Sequence, residues 1–128
     1  EESGLNIKDK DRWTALMIAC YNGHKDVVQL LLDNSDIIDL NARANGGSTA
    51  FMIACYKGHK DVVKLLLDHY EIIEVNARNN NGRTAFIMAC RHGHKDVVKL
   101  LLCSKRSRRQ SQRKNGQKKK NLCQENFG

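Results

Sequence analysis

The run CRHGHKD at residues 90–96 places Cys90, His92 and His94 at alternating positions. Thiolate and imidazole are ligands that zinc selects. The spacing fits no usual zinc pattern, and Cys90 has counterparts in Cys20 and Cys55 without a neighbouring His pair. All three cysteines are therefore expected to be small, reduced, buried packing residues. Equivalent Cα atoms in stacked neighbours lie about 10 Å apart, beyond the roughly 7 Å limit of a disulfide. Gly23-His24, Gly58-His59 and Gly93-His94 recur too faithfully to form one active site. His24, His59 and His94 are expected to join the two helices of their own repeat by hydrogen bonds. No Ser–His–Asp spacing, Walker loop or dinucleotide fingerprint is present. The chain is expected to be no enzyme and to hold no metal and no cofactor.

The same spacing exposes the elements. TALMIACYNGHKDVVQLLLD (14–33), TAFMIACYKGHKDVVKLLLD (49–68) and TAFIMACRHGHKDVVKLLLC (84–103) recur every 35 residues, and the first two share 17 of 20 positions. Each copy reads as two short helices. Thr14, Thr49 and Thr84 suit N-caps. Gly23, Gly58 and Gly93 suit a left-handed stop. Asp26, Asp61 and Asp96 sit near the positive start of the second helix. Helices this short are marginal alone, and the VVxLLL run is apolar on more than one side, so each pair must be covered by its neighbour. NGG and NNNG supply tight turns between the pairs.

Gly-His between the helices, VVxLLL, then VNA, an Asn/Gly turn and Thr resemble the ankyrin repeat across residues 5–103. The resemblance implies an all-α solenoid of helix-turn-helix repeats joined by β-turn or hairpin loops. Its parts would be the end of a leading repeat (1–13), repeats at 14–48 and 49–83, a third helix pair (84–103), and a disordered basic tail (104–128). Leu5-Asn6-Ile7 matches Leu40-Asn41-Ala42 and Val75-Asn76-Ala77, as expected of a piece of a longer array. The family's TPLH stands here as TALM, TAFM and TAFI, so its Thr–His hydrogen bond is absent. Arg12 replaces the turn glycine found at Gly47 and Gly82, which implies strain or a different turn. Ile37, Ile38, Ile72 and Ile73 are expected to fold back on the helix ends.

Recognition in this family usually uses the turn tips and the concave face of the first helices. Carried over position by position, that implies partner-binding columns. Lys8, Arg43 and Arg78 form one, and Lys10, Asn45 and Asn80 the next. Trp13, Ser48 and Arg83 precede the capping Thr. Tyr21, Tyr56 and Arg91, then Asn22, Lys57 and His92, end the first helix. These columns vary while their flanks repeat, and Trp, Tyr and Arg dominate binding hot spots. The alternative is an unselected solvated face. A mildly basic groove for an acidic protein segment is the expectation, on a monomer in the cytoplasm or nucleus.

Charge is segregated. Residues 1–103 hold 13 Lys/Arg and 13 Asp/Glu, while residues 104–128 hold nine Lys/Arg and Glu125 alone. The nine are Lys105, Arg106, Arg108, Arg109, Arg113, Lys114, Lys118, Lys119 and Lys120. Lys105-Arg106 and Lys118-Lys119-Lys120 resemble a bipartite import signal read by an import receptor. Such runs also bind nucleic acid without sequence preference, and a truncated repeat is a third reading. No apolar run reaches the about 20 residues of a membrane span. Val97, Val98, Leu101 and Leu102 are expected to lie uncovered unless Leu122 and Phe127 fold back, or a further repeat or partner adds to the array. The main expectation is a non-catalytic protein-binding module, a scaffold or adaptor segment; a nuclear or nucleic-acid-associated factor, and a regulatory segment of a larger enzyme, stand beside it.

Overall fold

A computed structural model describes the backbone of residues 5–112 and the side chains of residues 5–104. Among these residues there are six α-helices and no strands. They are α1 (Ala15–Asn22), α2 (Lys25–Asp33), α3 (Ala50–Lys57), α4 (Lys60–Leu67), α5 (Ala85–Arg91) and α6 (Lys95–Gln112). Odd-numbered helices pack in one row, α1 on α3 on α5, and even-numbered helices in a second row behind it.

Local chemistry sets the boundaries. Thr14, Thr49 and Thr84 each accept the N–H three residues on, at 3.3, 3.2 and 3.3 Å. In the first repeat the Thr14 N–H also donates to Met17 Sδ at 3.4 Å. The thioether thus takes a bond at the position where the family's His is missing. Gly23 and Gly58 end α1 and α3 with φ of 72° and 76°, the left-handed region that glycine enters without steric cost.

Stacking supplies the core, as the apolar second helices require. In α3 every residue from Ala50 to Cys55 is buried. Phe51, Met52, Val63 and Leu66 are sealed between neighbours, each contributing about 1.5–3 kcal/mol relative to exposure. The matching face of the third pair is open: Phe86 is 39% exposed where Phe51 is 2%.

Several expectations need correction. Cys20 and Cys55 are buried free thiols, but Cys90 is exposed, because no helix packs on the far side of α5 among the described residues. Ile38 and Ile73 pack into the core, whereas Ile37 and Ile72 point outward at 52% and 41% exposure. Val97 and Leu101 are buried, against the expectation that this face lies uncovered, while Leu102 is exposed. They turn back toward α4, which packs against α6. The basic segment expected to be disordered from residue 104 is helical as far as Gln112, as the continuation of α6.

The histidine expectation also fails. His59 Nε2 reaches Tyr21 O at 2.8 Å, and His94 Nε2 reaches Tyr56 O at 2.7 Å. Each ring therefore bonds the preceding repeat, not its own. A Cβ on Gly23 would lie 2.8 Å from His59 Nδ1, and one on Gly58 2.5 Å from His94 Nδ1. Glycine is required there for approach as well as for φ. The repeated Gly-His is a latch whose two halves belong to successive repeats.

Candidate functional site

The turn tips are built alike. Backbone bonds close each one: Asp9 N to Trp13 O at 3.0 Å, Ala44 N to Ser48 O at 2.8 Å, and Asn79 N to Arg83 O at 2.9 Å. Neighbouring tips are tied by Asn45 N to Asp11 O at 3.1 Å and Asn80 N to Gly46 O at 2.8 Å. Arg12 holds φ at 65°, matching 83° at Gly47 and 77° at Gly82. The first turn thus keeps the common shape and bears the strain.

The first predicted column is occupied in stitching. Lys8 Nζ donates to Arg43 O at 3.1 Å. Arg43 Nη1 donates to Gly47 O at 3.1 Å and to Arg78 O at 2.7 Å. Arg43 also pairs with Glu74 at 3.9 Å across an exposed surface, a contact worth little in water. Lys10, Asn45, Arg78 and Asn80 are exposed on the tips, and Ser48 and Arg83 are half-buried at their bases.

The remaining columns converge on a groove of about 190 Å³. Trp13 and Tyr21 meet edge to face at 5.3 Å, and Lys57 Nζ lies 4.7 Å above the Tyr21 ring. Tyr56 and His92 repeat that staggered contact one unit on, at 4.4 Å. Both tyrosines keep 40% of their surface exposed. Trp13, Tyr21, Asn45, Ser48 and Tyr56 line the groove, so five predicted residues are brought to one place. Asn22 instead bonds Ile18 O in its own helix at 3.0 Å, and Arg91 is exposed at the end of α5.

The floor was not foreseen. Ala44, Met52, Ile53 and Met88 complete the lining. Helical spacing held the signal: Ile53 and Met52 stand three and four residues before Tyr56, which puts them on its face. The volume lies below the about 300–1,000 Å³ of small-molecule sites and is of the order of one bulky side chain. Among the described residues, no group of three or more His, Cys, Asp or Glu is placed to hold a metal ion. His92 and His94 stack at 6.2 Å, with His94 engaged by the latch. Burial pushes the Cys20 thiol up from 9.0 to about 12, and burial together with the nearby Cys20 raises Cys55 also.

Rows of paired helices, latched repeat to repeat and joined by projecting turns, define a helical repeat protein. Residues 1–79 and 38–115 match the model for ankyrin repeats (3 copies). The chain belongs to the ankyrin-repeat family, whose members generally mediate protein–protein interactions and are generally non-catalytic. A comparison with curated proteins finds no match. No described helix is long and apolar enough to cross a membrane.

Proposed function

We propose that this chain is a non-catalytic protein-binding module, a scaffold or adaptor segment that engages a partner through its turn tips and concave helix face. One observation carries the reading. Residues that vary between repeats gather half-exposed aromatics around an apolar groove, while repeated apolar residues such as Ala54, Cys55, Val62 and Val63 are sealed in the stack. Aromatic anchors of this kind dominate protein interfaces. The free thiols of Cys20 and Cys55 accord with a cytoplasmic or nuclear setting.

The test is partner capture by the full chain against a variant carrying Trp13→Ala, Tyr56→Ala and Arg83→Ala. Capture is expected to be lost while the helical circular-dichroism spectrum is retained, with a somewhat lower melting temperature because Trp13 packs against the core. Unchanged capture by a folded variant would refute this assignment.

The segregated charge supports a second reading, in which the basic segment after Ser104 contacts nucleic acid or an import receptor. The side chains of Lys105, Arg106, Arg108 and Arg109, and all of Arg113, Lys114, Lys118, Lys119 and Lys120, lie outside the described residues. DNA or RNA affinity that falls steeply with salt, and is lost on removing residues 104–128, would favour it.

A further inference from the structure

The binding face is not uniform along the array. In the column before the capping Thr, the residues run Trp13, Ser48, Arg83; at the end of the first helices they run Tyr21, Tyr56, Arg91. Both columns begin aromatic and finish as arginine. The apolar floor is made by Met52, Ile53 and Met88, and Lys57 lies over the ring of Tyr21, which lines the same groove.

The carboxylates follow the opposite order. Asp9 and Asp11 belong to the first tip, where Asp9 Oδ1 accepts from Asp11 N and Trp13 N at 2.9 Å each. The third tip, residues 78–83, has arginine at both ends and no acidic residue. At the first tip Asp9 and Asp11 alternate with Lys8, Lys10 and Arg12, so the charges largely offset, whereas the last end offers arginines with no carboxylate beside them in its tip. Planar guanidinium groups suit an acidic ligand, since they bind carboxylates through paired donors.

We infer that the partner is an extended peptide segment carrying one bulky apolar residue and, about two to three residues away, one or more carboxylates. The apolar residue fills the groove over Met52, Ile53 and Tyr56. The carboxylates meet Arg83 and Arg91. The spacing follows from one repeat step of about 8–10 Å divided by about 3.3 Å per extended residue. The inference rests on the binding-face reading above and adds the chemistry and order of what is bound.

Selection of random twelve-residue peptides on the full chain tests it, followed by titration of the enriched peptides as fluorescent probes. Enriched peptides are expected to pair Leu, Met, Phe or Trp with Asp or Glu at that separation. Exposed charge pairs are individually weak, so Arg83→Gln with Arg91→Gln is expected to weaken binding about tenfold. Arg83→Glu with Arg91→Glu is expected to shift selection toward Lys and Arg at the same separation, with the melting temperature kept. Peptides that need Trp13 and Tyr56 but show no acidic preference and no response to the arginine changes would overturn this inference and leave the groove as a binding site. No enrichment, or enrichment indifferent to Trp13, Tyr56 and both arginines, would overturn the binding-face reading along with it.

Discussion

Arg12 shows how one side chain can be judged against its own repeats. Its φ of 65° lies in the left-handed region, which costs a residue with a Cβ about 1–2 kcal/mol. Arg12→Gly is therefore expected to raise stability by about 1 kcal/mol, read as a melting temperature higher by about 4–8 °C. The latch glycines separate two effects. Gly58→Ala incurs both positive φ and collision with His94, whereas nothing lies within 4 Å of a Cβ on Gly93. Expected losses are about 2–4 kcal/mol at Gly58 and about 1 kcal/mol at Gly93, measured by urea denaturation. The sequence pattern located these glycines and their left-handed role. It could not tell which repeat each histidine serves, because every copy carries both halves. The buried thiols give a pH dependence. With Cys20 raised from 9.0 to about 12, the unfolded chain loses this proton first as pH rises. The stabilisation is full below pH 9 and declines above it by about 1.4 kcal/mol per pH unit and thiol. Denaturant midpoints that stay flat from pH 8 to 11 would contradict this, and alkylation of the native protein is expected to reach Cys90 before Cys20 or Cys55.

At the scale of elements, loops as well as helices make the repeats cohere. Asn6 Nδ2 donates to Ile37 O at 3.0 Å and its Oδ1 accepts from Asp39 N at 2.8 Å. Asn41 repeats the clamp on Ile72 O at 2.8 Å and Glu74 N at 2.9 Å. Each Asn thus pairs with both backbone faces of the next loop. Asn41→Ala is expected to cost about 1–2 kcal/mol and to speed amide exchange at Glu74 before it affects α3. These clamps explain why only Ile38 and Ile73 enter the core: the carbonyls of Ile37 and Ile72 are held outward for the Asn. Sequence alone turns all four Ile inward, because the distant Asn that holds one carbonyl of each pair leaves no local signal. The helices themselves were legible, since Thr caps and Gly stops are local signals. The continuation of α6 past Cys103 was not, because a run rich in Lys, Arg and Ser has no apolar period to mark it.

Across the whole molecule, burial is greatest in the middle. Six residues are buried in α3, against Ala85 and Ala89 in α5. Native-state amide exchange should therefore be slowest in α3 and α4 and faster in both flanking pairs, following local opening free energies. Uniform protection across all three pairs would count against a core made by stacking. The architecture was legible because its cause, apolar surface that one unit cannot hide, is written three times. The groove was legible in part. Variable columns revealed Trp13, Tyr21 and Tyr56, but Lys8 and Arg43 look equally variable and are committed to neighbouring carbonyls. The latch has one consequence for how such a chain can lengthen. Every 35-residue unit brings a glycine socket on one side and an imidazole plug on the other. Copying residues 49–83 in tandem would therefore create a junction that already fits, so duplication alone can extend the molecule without inventing a new seam.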